Sequence, residues 1–176
     1  MTHAHARDGT QAEEGMDHGF AELYRANFRE LSAQLYVYLG DLPEAQDAVQ
    51  EAFCRAWVRW GRISRYDDPV TWVRRVAWNL ATSRFRRLVT ARRYAHLHRE
   101  EPHAGPGPER VALMTAMAGI PANHRKALVL HYLAGLPVAE IAEACRVREG
   151  TVKTWLYRGR AALAERLRGD EKGVSA

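Results

Sequence analysis

Cysteine is scarce in this chain, and long apolar runs are missing from it. Only Cys54 and Cys145 occur among 176 residues, and each lies in an apolar helical pattern, which predicts two buried thiols and no disulfide framework. No window approaches the roughly 20 apolar residues of a membrane span. The polar start of the chain also lacks an apolar stretch of signal-peptide length. We therefore expect a protein of the reducing cytoplasm that is not inserted in a membrane.

The familiar signatures of catalysis are missing as well. The sequence contains no Gly-rich phosphate loop, nucleophile elbow or paired-carboxylate arrangement. Three histidines, His96, His98 and His103, do lie close to Glu100 and Glu101. They surround a segment rich in proline and glycine, which lacks the rigid support that metal ligands need. We therefore expect no enzyme, no metal site and no cofactor.

Basic residues outnumber acidic residues by a small margin. The chain has 26 lysines and arginines against 21 aspartates and glutamates, a formal net charge of +5. This surplus favours a polyanionic partner, although net charge alone is a weak signal. The length allows two small helical domains, because units of about 70 to 80 residues are near the lower limit for an independent core.

Apolar residues recur at helical spacing through the N-terminal half, and no strand pattern interrupts them. Asp17, Asp41 and Asp68 are candidate helix caps, and prolines follow the last two at positions 43 and 69. Three helices therefore make a first domain over residues 16–97, preceded by a disordered tail over residues 1–15. The predicted fold is all-α, with two small helical domains joined by a flexible linker.

The linker is predicted from residues 98–109, which hold three prolines and two glycines. Beyond it, Pro121 and Pro137 begin two helices, and a last helix runs from about Arg148 to Arg168. These helices make a second domain over residues 110–168, followed by a tail over residues 169–176.

Residues 135–163, GLPVAEIAEACRVREGTVKTWLYRGRAAL, have the form of a helix-turn-helix. The small Ala142 permits a close helix crossing, and Val152 and Leu156 anchor the second helix. Cations and hydroxyls then face outwards, a mixture that suits the DNA major groove. The alternative interpretation is a solvated basic face on an ordinary helical hairpin.

Here the sequence resembles a known family, the extracytoplasmic-function sigma factors of bacteria. EIAEACRVREGTVKTWLYRGRAAL resembles their region 4 helix-turn-helix, especially the actinobacterial SigE-like type with a TVKxWLxRGR pattern, and residues 120–142 resemble the entry to that region. Independently, PEAQDAVQEAFCRAW, residues 43–57, is similar to region 2. The resemblance implies a non-catalytic transcription initiation subunit with three partners: core RNA polymerase, promoter DNA and, in many members, an anti-sigma factor.

The resemblance also implies roles for particular residues. Core polymerase is expected to bind Asp47, Gln50 and Glu51, which could otherwise be an exposed polar face that touches nothing. The loop at residues 63–66 could hold a flipped base. The expected minus-10 DNA contacts are Arg74, Arg75, Asn79, Ser83, Arg84, Arg86 and Arg87. The expected minus-35 DNA contacts are Arg148, Thr151, Lys153, Thr154, Tyr157 and Arg158.

Five residues qualify the resemblance or need a separate interpretation. Trp155 stands where many members have arginine, and Ala45-Gln46 where many have an Ala-Glu or similar acidic pair. Trp57 and Trp72 are interpreted as core residues, because a tryptophan at helical spacing is more often buried than a base-stacking platform.

The alternative function is a helix-turn-helix transcriptional regulator that does not act as a sigma subunit. Such a regulator would bind a small molecule or receive phosphate through its N-terminal half. A receiver domain needs alternating strands and helices, whereas residues 17–97 have helical patterns throughout.

Overall fold

The computed structural model describes residues 5–94 and 107–174 of the chain, with side chains described from residue 18 to 88 and from 109 to 168. All regular structure in these residues is helical, which confirms the predicted all-α fold. The elements are α1 (His5–Leu39), α2 (Leu42–Trp57), α3 (Trp60–Ile63), α4 (Pro69–Tyr94), α5 (Pro108–Ala118), α6 (Ala122–Leu128), a π-helical turn (Val129–Leu133), α7 (Val138–Cys145) and α8 (Glu149–Val174).

Two compact units are formed. The first comprises Met1–Leu35 and Leu42–Leu88, and the second comprises Tyr36–Asp41 and Val89–Ala176. Most of the predicted linker falls on residues 95–106, which lie outside the described residues. No helix in the described ranges is long and apolar enough to cross a membrane.

Helix ends differ from the sequence prediction at both ends of the chain. α1 begins at His5, well before Asp17, so residues 5–15 of the predicted disordered tail have a helical backbone. Alanine, glutamate and glutamine are frequent there and favour helix intrinsically, but the apolar repeat starts only at Phe20 and gave no earlier signal. At the other end, α8 continues past Arg168 to Val174.

The core of the first unit forms along a stripe of alanines on α2. Ala45, Ala48, Ala52 and Ala56 are fully buried there, which lets the neighbouring helices approach closely. Phe53 on the same helix is also buried, and Phe20 of α1 meets the Phe53 ring edge-on at 6.1 Å. Small and aromatic residues on α2 thus fix the position of its opposite, polar face.

Four assignments to the core need correction. Trp57 is 45% exposed, since it lies at the margin of the buried stripe of α2, where Phe20 packs against its ring at 4.9 Å. Trp72 is half-buried. Cys54 is exposed because it follows Phe53 by one residue, about 100° further round the helix. Cys145 is half-buried, and burial raises the pKa of its thiol.

The second unit contains the predicted helix-turn-helix. Ile141 and Ala142 of α7 and Val152 and Leu156 of α8 are buried, as the sequence predicts. Arg146 ends α7 in the left-handed conformation with φ 56°, which turns the chain sharply enough for α8 to begin at Glu149.

Candidate nucleic-acid interface

One face of α4 carries a row of exposed polar side chains. Arg75, Asn79, Ser83 and Arg87 follow one another at intervals of four residues, and all four are exposed. At about 100° per residue, this spacing keeps them on one slowly winding face, and Arg86 falls within it. Five of the seven residues expected to contact minus-10 DNA are therefore on a common surface.

Arg74 lies off this surface, near the start of α4. The side chain of Arg74 is half-buried, and its positive charge acts on Asp68, the residue before the helix. Asp68 caps α4, because its carboxylate accepts hydrogen bonds from the backbone N–H and the hydroxyl of Thr71. These bonds lower the pKa of Asp68, and Arg74 contributes to the same effect.

Arg84 also lies off the exposed face, and it turns towards α2. Its Nη1 donates to the backbone carbonyl and to Oε2 of Glu44, both at 3.1 Å. Its Nη2 donates to Oε2 of Glu51 at 3.1 Å, and Asp47 lies 4.0 Å from Nη1. The Arg84 side chain is only 14% exposed. Arg84 is therefore separated from the exposed Arg75, Arg86 and Arg87 by both direction and burial.

The polar face of α2 brings together the three residues expected to bind core polymerase. The Asp47 side chain is 76% exposed, and Gln50 accepts a hydrogen bond from the Tyr24 hydroxyl at 2.9 Å. Glu51 is less exposed and pairs with Arg84 and with Arg55. Glu44, a turn before Asp47, was not expected from the sequence, although its spacing of three from Asp47 places it on the same side of the helix.

The segment between α2 and α4 differs from the expected base pocket at one position. Ile63 is only 1% exposed and belongs to the core. Ser64, Arg65 and Tyr66 are exposed, so they form the accessible part of the segment.

The first turns of α8 present a second polar surface. Lys153, Thr154, Tyr157 and Arg158 are exposed, and Tyr157 is 69% exposed. Thr154 donates its hydroxyl hydrogen to the Gly150 carbonyl at 2.9 Å, which directs this side chain along the helix. The four residues lie opposite the buried Val152 and Leu156, so packing of α8 leaves them accessible.

Three further residues flank this α8 surface. Arg148 is exposed just before the helix, and Thr151 is half-buried beside it. Trp155 is also half-buried, so this tryptophan is partly packed.

Two neighbours of the α8 surface were not expected. Arg160 is exposed on it and donates to the Tyr132 hydroxyl at 3.5 Å. His124 is half-buried near Arg158, where burial lowers the pKa of its imidazole and the positive charge lowers it further. A contact between distant parts of the sequence, such as this one, leaves no periodic signal.

No metal site is found among the described side chains: no three histidine, cysteine, aspartate or glutamate residues lie close enough together there. His96, His98 and His103 fall outside the described residues.

Two family models match the chain. Residues 23–90 match Sigma-70 region 2, and residues 110–163 match Sigma-70, region 4. The ECF RNA polymerase sigma factor SigL of Mycobacterium tuberculosis is 31% identical over 167 residues, which cover 88% of this chain and 93% of SigL. The chain belongs to the ECF RNA polymerase sigma factors. As a sigma factor, it directs the initiation of transcription at promoters.

One further relative and two solved structures are similar to this sigma factor in sequence and in fold, respectively. SigW of Bacillus subtilis is 29% identical to this sigma factor and covers 90% of it, with 94% of SigW aligned. The fold is similar to that of RpoE from Bartonella quintana, solved with the anti-sigma factor NepR, at a TM-score of 0.72, 20% identity and coverage of 85% and 97% of the two chains. The structure of CnrH with the cytosolic domain of CnrY has a TM-score of 0.64 at 21% identity, and the match covers 92% of this sigma factor and 95% of CnrH.

Proposed function

We propose that this sigma factor reads promoter DNA through two separate helical surfaces and binds core RNA polymerase through a third. Region 4 reads the minus-35 element with α8, region 2 captures the melted minus-10 element with α4, and the polar face of α2 meets core polymerase. The observation that carries the proposal is the exposed row of cationic, hydroxyl and amide side chains on α4 and on α8.

On α8, the residues divide by position along the helix. Lys153, Thr154, Tyr157 and Arg158 would reach base edges and nearby phosphates in the major groove. Arg148 and Thr151 lie at the N-terminal end of the helix, where backbone N–H groups and the helix dipole also favour a phosphate.

On α4, Asn79 and Ser83 are the proposed base contacts, since an amide and a hydroxyl can hydrogen-bond the edge of an exposed base. Arg75, Arg86 and Arg87 would neutralise phosphates around them. Arg74 and Arg84 are left out of the proposed DNA contacts, because both side chains lie off the exposed face.

On α2, Asp47 and Gln50 are the accessible members of the proposed polymerase surface, and Glu51 supports them. The anti-sigma factor NepR bound to RpoE suggests that a similar inhibitor controls this protein. We further propose that it acts in the cytoplasm, that RNA synthesis belongs entirely to the polymerase, and that the TVKTWLYRGR motif makes it an actinobacterial SigE-like member.

Run-off transcription on a genomic promoter pool tests the proposal. The reaction contains cognate core RNA polymerase with wild-type protein or with the Lys153→Ala plus Arg158→Ala double variant. Because each good base contact contributes about 1–3 kcal/mol, the double variant should lose at least about tenfold of its specific transcripts. Specific initiation by the double variant at wild-type level would contradict the proposed minus-35 surface.

The matched control is the Arg25→Ala plus Arg29→Ala double variant of α1. It also removes two positive charges, from exposed positions of the first unit, and it should retain wild-type transcripts. If the control loses them equally, the effect is one of net charge rather than of specific contacts.

A further inference from the structure

We infer that Arg84 is a positioning residue, which holds the acidic side of α2 in the shape that core polymerase binds, and that it does not contact promoter DNA. The inference rests on the proposed function of the α2 surface. Arg84 thus serves the polymerase surface of α2, whereas its neighbours Arg86 and Arg87 on α4 are the proposed DNA contacts.

The first support is the way in which Arg84 uses its donors. A guanidinium group has five N–H donors in a rigid planar fork, which suits simultaneous contact with several oxygens. Nη1 binds the carbonyl and carboxylate of Glu44, and Nη2 binds the carboxylate of Glu51. One side chain of α4 thus spans two turns of α2.

The second support is the position of Glu51 between two cations. Its Oε2 accepts from Arg84, and its Oε1 accepts from Arg55 on the next turn of α2. With both oxygens engaged, the carboxylate of Glu51 has a defined orientation. A partner that binds α2 therefore meets a surface whose geometry is set before binding, which lowers the entropic cost of association.

The third support is charge. Glu44, Asp47 and Glu51 are separated by three and four residues, so their carboxylates lie near one another on one side of the helix and repel. The Arg84 guanidinium is the cation that faces all three, at 3.1, 4.0 and 3.1 Å. Without it, the acidic side chains would separate, and Asp47 would lose its fixed surroundings.

A phosphate contact by Arg84 conflicts with this arrangement. The side chain would have to leave two carboxylates and a carbonyl, and then turn towards the face that carries Ser83 and Arg87. Those two residues are already exposed, whereas the Arg84 side chain is 14% exposed. The geometry therefore favours the exposed arginines for DNA and Arg84 for the α2 surface.

Two binding measurements on the full-length protein separate these roles. The first is the affinity for core polymerase without DNA. The second is the affinity of holoenzyme for a single-stranded minus-10 oligonucleotide, measured at saturating core polymerase and at several salt concentrations. The salt slope is the slope of the logarithm of this affinity against the logarithm of the salt concentration. Arg84→Gln should weaken core binding about tenfold and leave the salt slope unchanged. Arg87→Gln should leave core binding unchanged and reduce the slope by about 0.7, the value for one phosphate contact on single-stranded DNA.

Two further variants show whether Arg84 acts through its partners. Arg84→Lys keeps the charge but cannot span both carboxylates, so its core affinity should fall between those of wild type and Arg84→Gln. The Arg84→Gln plus Glu51→Gln double variant should weaken core binding by less than the sum of the two single effects. A general loss of folding would instead lower the melting temperature and give additive effects.

If Arg84→Gln does not fold, Glu44→Gln replaces it, because this variant weakens one contact of the guanidinium and leaves the charge of α4 intact. Its core affinity should then fall by a smaller factor. The inference is overturned if the folded variant binds core polymerase as wild type does, or if Arg84→Gln lowers the salt slope at saturating core.

Asp47→Asn distinguishes failure of this inference from failure of the proposed α2 surface. If Asp47→Asn weakens core binding and Arg84→Gln does not, only the inference is wrong. If Arg84→Gln weakens core binding and Asp47→Asn leaves it unchanged, the proposed surface is wrong, and the inference that rests on it fails with it. If neither changes core affinity, both are wrong.

Discussion

Gly159 lies on the buried side of α8, against α6, and leaves little room for a side chain. A Cβ at this position would approach two atoms of Leu128 to 3.1 Å and the Cβ of His124 to 3.4 Å. Leu128 is buried, so it can retreat only by disturbing the core around it. Glycine normally weakens a helix interior, and its presence here reflects the close approach of α6 and α8.

This close approach predicts an unusual result for Gly159→Ala. Alanine gains about 1 kcal/mol in helix propensity over glycine, but overpacking costs about 1–3 kcal/mol. We therefore expect Gly159→Ala to be about 1 kcal/mol less stable than wild type in denaturant unfolding. Gly150→Ala is the control, since nothing lies within 4 Å of its added methyl group, and it should be more stable than wild type. Stabilisation by both substitutions would contradict the packing argument.

At the scale of the element, the start of α4 depends on one carboxylate. Asp68 accepts from the backbone N–H of Thr71 at 3.2 Å and from its hydroxyl. These bonds satisfy a donor that the first turn of a helix otherwise leaves without an intrahelical partner. They favour the charged form, which is the first cause of the lowered pKa of Asp68.

The cap predicts both a loss of stability and its pH dependence. Asp68→Ala should cost about 1 kcal/mol at pH 7. Because the folded-state pKa lies below the usual 3.8, the ionic part of this stabilisation is present above pH 3.8 and is lost as the pH falls through the folded value. Asp68→Asn keeps a capping group without the charge, so its deficit at pH 7 should be smaller. A constant difference between wild type and Asp68→Ala down to pH 2 would exclude an ionic contribution.

The elements also show how far the sequence alone could lead. Asp68 followed by Pro69 predicted the start of α4 correctly, because capping is a local interaction. The start of α1 was missed, since intrinsic helix preference at residues 5–15 carries no apolar repeat. The basic run of α4 looked uniform in the sequence. Arg84 differs from Arg86 and Arg87 because it contacts the acidic side of α2. This is a tertiary contact, which the sequence pattern of α4 does not show.

Solvent exposure was the least predictable property of single side chains. Trp57 and Cys54 were assigned to the core by spacing, but Trp57 lies at the margin of the buried stripe of α2 and Cys54 lies beyond it. In the helix-turn-helix, by contrast, Ile141, Ala142, Val152 and Leu156 were assigned correctly. The helix-turn-helix motif specifies how α7 and α8 cross as well as the helical repeat of their apolar residues. The crossing decides which side of each helix is buried.

At the scale of the whole molecule, the two units carry separate exposed polar faces, one on α4 and one on α8. The α4 face lies in the part of the chain that matches Sigma-70 region 2, and the α8 face lies in the part that matches Sigma-70, region 4. If the two faces read different promoter elements, damage to one face should remove the response to one element only. Interactions at independent sites contribute additively to a free energy, so this expectation can be tested quantitatively.

The test combines protein variants with promoter variants in a run-off assay. Lys153→Ala plus Arg158→Ala should initiate weakly on the intact promoter and should hardly respond to mutation of the minus-35 element, because the contacts to that element are already lost. It should still respond fully to mutation of the minus-10 element.

Asn79→Ala plus Ser83→Ala should give the reverse pattern, since an amide and a hydroxyl are removed from the α4 face. Each mismatched base pair typically costs about 1–3 kcal/mol in a specific complex, so a retained response should be about fivefold or more. Equal sensitivity of both variants to both elements would mean that the α4 and α8 faces do not read separate sequences.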